Sequence, residues 1–252
     1  MSDAETEALK RAAHANPTRE SVVPWLRSTV RAGQAAIGKL ETLGALGCKC
    51  AQVVATGESW GQARDTLDLL ERVRTTDGWL GFALELALQA RATFHAVQDT
   101  RDAEALGFQA LAEQALAENF ESLADLCSCP CDSHARQVLA SQCPLPEEPR
   151  RETEAAFFIL RLSSEAAWCV INRSQMSEET CRAILQIAER VWGSVGSASV
   201  FRQAASRQRF KLLHEVQALG CNDCHVTPPR SANLPWSSRG KVPPPPPGSC
   251  PR

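Results

Sequence analysis

SWGQARDTLDLLERVRTTDGWLGFALELALQA, residues 59–90, sets a charged run and an apolar run on either side of an Asp-Gly pair. In its first half, over 60–74, Ala63, Leu67 and Leu70 fall on one line with Leu69 and Val73 beside them, which is helical spacing. Arg64 and Asp68 are four residues apart, as are Asp68 and Arg72, so opposite charges can pair along the outer face. Asp77-Gly78 interrupts the pattern, and Asp77 can cap the next helix. Trp79, Leu80, Phe82, Leu84, Leu86 and Leu88 then leave almost no polar face. A helix apolar all round is one covered on every side. The stretch therefore predicts a charged surface helix, a tight break and a central helix.

Outward from that pair the same period recurs. Asn16-Pro17-Thr18 is a helix-entry signal, followed by Val22, Val23, Trp25, Leu26 and Val30. Gly33 and Gly38 loosen the pattern before Ile37, Leu40, Leu43 and Leu46 resume it, and Cys50, Val53 and Val54 continue it. Gly57-Glu58-Ser59 predicts a turn, with Ser59 as a cap. Downstream, Phe108, Leu111, Ala115, Leu116, Phe120 and Leu123 mark an amphipathic segment over 102–126. Ser177-Glu178-Glu179 opens another helix, continued by Ile184, Ile187, Val191 and Trp192. Phe201, Ala205, Leu212, Val216 and Leu219 mark the last, and Gly220 is a natural stop.

The expected fold class is therefore all-α. The absence of tyrosine among the 252 residues also disfavours a β-sandwich. The expected organisation is a polar segment at 1–16, a helical bundle at 17–98, and an amphipathic helix with a cysteine-rich segment at 99–143. A linker at 144–150 carries Pro144, Pro146 and Pro149. A second helical block at 151–220 and a disordered Cys/Pro-rich tail at 221–252 complete the chain.

Residues 59–90 resemble the fourth and fifth helices of a caspase recruitment domain. In that family a charged amphipathic helix, a tight break and a Trp/Phe pair opening a buried helix come in succession, and here the pair is Trp79 and Phe82. The helices between 17 and 56 fit the six-helix count of that fold, while the glycines at 33, 38, 44 and 47 depart from its pattern. The resemblance spans about 80 residues and rests on patterns rather than a fixed motif. It implies a death-fold-like bundle acting by homotypic assembly, not catalysis. The charged face with Arg64, Asp68, Glu71 and Arg72 is then the candidate contact surface.

Basic residues number 27 and acidic residues 29, so no bulk charge favours nucleic acid. The longest apolar runs, 155–160 and 166–171, are too short to span a bilayer. The opening MSDAETEALKRAAHANP does not resemble a secretory signal, which places the expectation in the cytoplasm. There the 11 cysteines are expected as thiols or metal ligands.

Two clusters bear on metal binding. Cys127, Cys129, Cys131 and His134 lie within eight residues, with Cys143 beyond. Thiolate and imidazole together suit zinc. Cys221, Cys224 and His225 spell C-x-x-C-H, which can be a zinc half-site or a c-type haem attachment motif. Cys250 is a further candidate ligand. Haem attachment normally follows export, and Met1 and Met176 both lie upstream of the motif, leaving His214 as the axial candidate. Three fixed positions in a cysteine-rich chain make coincidence the leading expectation for the C-x-x-C-H match. The first expectation is no cofactor, zinc is the alternative, and haem a distant third.

Cys48 and Cys50 suggest one exposed and one buried thiol, and Cys169 and Cys181 small core residues. Arg202 to Lys211 is expected as the wet side of its helix. The run Pro243 to Pro247 suits an aromatic-lined groove on a partner. No phosphate loop, carboxylate pair or serine elbow is present. The expected function is a non-enzymatic adaptor or regulator working through protein contacts, with a zinc-binding helical protein as the alternative.

Overall fold

The computed structural model describes residues 3–59, 61–97, 103–142 and 153–216, and within them every regular element is a helix. They are α1 (Asp3–Ala15), α2 (Arg19–Arg31), α3 (Ile37–Ala45), α4 (Lys49–Thr56), α5 (Thr66–Val73), α6 (Trp79–Val97), α7 (Ala103–Ser128), α8 (Asp132–Ser141), α9 (Glu154–Asn172) and α10 (Glu178–Glu215). None is long and apolar enough to cross a membrane. The 144–150 linker and the 221–252 tail lie outside the described residues.

The first departure from expectation is at the N-terminus. The polar segment 1–16 contains α1, which buries Ala13 and sets the His14 ring edge-on to Trp25 at 5.8 Å. Its apolar contribution to the core is Ala13 with the partly buried Leu9. Thr18 caps α2, whose interior Pro24 leaves one backbone acceptor without a helical donor.

α3 and α4 form a close hairpin. A Cβ at Gly44 would come within 3.0 Å of the Gln52 Cγ and 3.3 Å of the Gln52 backbone, so the glycine is what lets the helices approach. Gln52 Nε2 then donates to the Gly44 carbonyl at 2.8 Å. Cys48 and Cys50 are both buried in this hairpin, contrary to the expected split of one exposed and one buried.

α5 is shorter than its periodicity suggests. It starts at Thr66, not near residue 60, and its cap is Asp65 rather than Ser59. Asp65 Oδ1 accepts the Asp68 N–H at 2.8 Å. Competition from that cap ends the helix there, because a side-chain acceptor satisfies one of the free N–H groups of the first turn.

α6 is the central helix. Trp79 and Phe82 are buried, and Phe82 meets Phe201 of α10 at 6.2 Å between ring centroids. α6 packs on α7, α9 and α10. One hydrophobic cluster runs from Ala13 in α1 to Val216 beyond α10, so the described core does not divide at the expected junction between two helical blocks. α10 itself changes direction at Gly193, where φ is +73°.

One acidic side chain interrupts the apolar surface of α6. Glu85 is 1% exposed and pairs with Lys211 of α10, whose side chain is 53% exposed. Lys211 thus spans from solvent to the core, and the basic run of α10 is not uniformly a wet face.

Candidate metal centre

α7 and α8 meet at Cys129-Pro130-Cys131, and a small separate core pins this junction. Leu126 of α7 and Ala135 and Val138 of α8 pack on Ala167 of α9. Burial of these side chains positions the turn on rigid elements, which is what a ligand set needs. The Cys129 N–H donates to the Asp125 carbonyl at 2.7 Å, and the Cys131 N–H to the Cys129 carbonyl at 2.8 Å. Cys131 is the N-cap of α8, and His134 sits in the first turn of that helix.

This turn brings Cys129, Cys131 and His134 together. Their ligand atoms, two sulfurs and a ring nitrogen, lie within 4.8 Å of one another. Ligands bound tetrahedrally at about 2.3 Å stand roughly 3.8 Å apart, so small side-chain rotations close the set on one ion. His134 Nδ1 lies 3.4 Å from the Cys129 carbonyl. A carbonyl only accepts, so that contact selects the Nδ1–H tautomer and leaves Nε2 with the lone pair for a metal.

The electrostatics favour a thiolate at Cys131. The Ser133 hydroxyl beside its sulfur at 3.2 Å and the His134 backbone N–H are the main causes, with Cys129 and the His134 ring adding to them. Together they pull the Cys131 thiol down to about 7 from an ordinary 9.0. A helix N-terminus works in the same direction, since its free N–H groups favour negative charge.

Cys127 does not join the group. Its Sγ–H donates to the Leu80 carbonyl of α6 at 3.2 Å, pointing into the body of the protein. Burial pushes this thiol up to about 12. The four candidates at 127–134 therefore resolve into three that converge and one that packs. The helical period explains why: Cys127 lies inside α7, on the face that meets α6, whereas the other three belong to the turn and the start of α8. Cys221, Cys224 and His225, with Cys143 and Cys250, lie outside the described residues. Cys169 and Cys181 are buried thiols, as their positions in helical patterns suggest.

The candidate contact face of α5 is largely engaged within the chain. Asp68 accepts from Arg72 Nε and Nη2, both at 2.9 Å, and from the Arg64 backbone N–H at 2.8 Å. Arg72 Nη1 donates to the Gly61 carbonyl at 2.7 Å. These bonds, the Arg72 pair first, hold the Asp68 carboxyl below its ordinary range. Asp68 and Arg72 thus clamp the incoming 61–65 segment onto α5. Arg64 projects outward with its side chain 87% exposed.

Comparison with known proteins finds no matching family model, no matching curated protein and no matching solved structure, so the chemistry of the α7–α8 junction rests on its own geometry.

Proposed function

We propose that this chain is a helical metal-binding protein that holds one thiophilic divalent ion, zinc, at Cys129, Cys131 and His134. The observation that carries the reading is the convergence of three soft ligand atoms within 4.8 Å on a turn braced by its own core. Two thiolates and an imidazole match zinc better than calcium or magnesium, which take oxygen ligands. All three side chains are partly exposed. Structural zinc sites close four protein ligands, whereas a three-ligand site keeps a position for water or an incoming ligand. With three ligands among the described residues, we read the site as one that carries or senses zinc.

The test is zinc retention by the purified chain after gel filtration. Wild-type protein is expected to keep one equivalent that both Cys131→Ser and His134→Ala lose. An equal zinc content in all three proteins would remove the basis for the site.

The assembly reading, with the α5 face as a homotypic contact, has narrower support. It rests on the charged pattern around residues 64–72, of which Asp68 and Arg72 are spent on each other and on the 61–65 segment. Arg64, exposed though 3.7 Å from Asp68, and Glu71 remain as its contact residues. Loss of self-association in Arg64→Glu, measured by sedimentation, is the result this reading requires.

A further inference from the structure

Cys129 and Cys131 are separated by one proline, and the turn between them is closed by its own hydrogen bond. The Cys131 N–H donates to the Cys129 carbonyl at 2.8 Å. A bond from residue i+2 back to residue i closes a γ-turn, here centred on Pro130, and the proline ring holds φ near the value that the inverse form needs. We propose that Cys129 and Cys131 are a redox pair that hydrogen peroxide converts to a disulfide.

In an extended chain, residues i and i+2 stand roughly 7 Å apart at Cα. That is the outer limit of the roughly 4.4–6.8 Å that a disulfide spans. The γ-turn folds the chain back and draws the two ends inside that range. The two sulfurs lie within 4.8 Å of each other on partly exposed side chains. The Cys129 thiol is near enough to hydrogen-bond the Cys131 sulfur. Side-chain rotation covers the remaining distance to a bond of about 2.05 Å. The other described thiols are turned away or covered. Cys127 is also two residues from Cys129, but its Sγ–H donates to the Leu80 carbonyl inside the body of the protein. Cys48, Cys50, Cys169 and Cys181 are buried.

Cys131, the N-cap of α8 with the Ser133 hydroxyl 3.2 Å from its sulfur, is the attacking thiol. Its sulfur attacks one peroxide oxygen. The S–O bond forms, the O–O bond breaks, and the other oxygen leaves with the thiol proton as water, giving the Cys131 sulfenic acid. The Cys129 sulfur then attacks the Cys131 sulfur. The S–S bond forms, the S–O bond breaks, and the hydroxyl takes the Cys129 proton away as a second water. The two thiols lose two electrons and the peroxide gains them. The oxidised pair offers a metal no thiolate, so peroxide also releases zinc. That consequence rests on the zinc reading above, whereas the disulfide itself does not.

The experiment treats the reduced, metal-free full chain with one equivalent of hydrogen peroxide, alkylates the remaining thiols after denaturation, and maps the tryptic peptide 102–136 by mass spectrometry. That peptide holds Cys127, Cys129 and Cys131. It is expected to be alkylated at Cys127 alone with a Cys129–Cys131 disulfide, and to be alkylated at all three cysteines if dithiothreitol is added first. In Cys129→Ser the sulfenic acid should persist on Cys131 and be trapped by dimedone. In Cys131→Ser neither a disulfide nor a dimedone adduct should form. Zinc added beforehand should slow the disulfide about tenfold or more, because it occupies both sulfurs. Alkylation at all three cysteines after peroxide alone, or a disulfide that uses Cys127, would overturn the proposal. A disulfide that forms equally fast with and without zinc would instead overturn the zinc reading and leave the redox pair in place.

Discussion

Cys131 differs from Cys127 and Cys181 in its surroundings. A hydroxyl and a backbone N–H stabilise its charged form, where burial destabilises the charged forms of Cys127 and Cys181. A folded-state value lowered from 9.0 to about 7 means that the thiolate contributes stability above the ordinary value, and that this is lost as pH falls through 7. In metal-free protein, alkylation of Cys131 by iodoacetamide should therefore reach half its limiting rate near pH 7, with Cys127 and Cys181, both pushed up to about 12, unreacted. Peptide mapping by mass spectrometry checks this, and a midpoint near 9 would contradict it. The residue types of this site were legible in C-x-C-x-x-H. Which of them converge was not, because Cys127 belongs by helical phase to the packed face of α7.

Among the elements, the pairing of α6 with α10 depends on a group that the apolar pattern of α6 conceals. Glu85 is nearly inaccessible to solvent and Lys211 reaches it from the other helix. Removing one partner of a buried pair leaves an uncompensated charge, at a cost of about 3–5 kcal/mol where both are buried. Lys211 is half-exposed, so Lys211→Met is expected to cost less, about 2–3 kcal/mol, by urea unfolding. The double variant Glu85→Gln/Lys211→Met should recover a measurable part of that loss, because neither charge is then stranded. Strict additivity of the two substitutions would show that the groups do not interact. Periodicity was enough to place α6 and most of its neighbours. It overran the start of α5, where Asp65 caps the helix and the Asp68–Arg72 clamp holds the preceding residues. It missed α1, where Leu9 is the one large aliphatic side chain in an otherwise polar and alanine-rich stretch.

For the molecule as a whole, the helical class was legible because apolar residues repeat at three and four throughout. The packing of distant helices was not. Proline-rich 144–149 suggests a boundary, yet α9 and α10 pack on α6 and share its core. Nothing local in a helix states which other helix covers it. A single core predicts a single cooperative transition, with circular dichroism and tryptophan fluorescence superimposing in urea. Phe82→Ala removes the ring that faces Phe201 and should lower stability by about 3–5 kcal/mol while keeping one transition. Two separated transitions would instead indicate independently folding blocks.

Cobalt(II) in place of zinc makes the ligands of the α7–α8 turn visible. Thiolate coordination gives cobalt an intense charge-transfer absorption, and tetrahedral geometry strengthens its visible bands. Titration of the reduced, metal-free full chain with cobalt should give a thiolate-bound spectrum saturating at one equivalent for this site. Cys131→Ser is predicted to abolish this spectrum, and Cys224→Ser, in the other cysteine motif, to leave it intact. A spectrum retained in Cys131→Ser, or no thiolate-to-cobalt absorption in the wild-type protein, would contradict the claim.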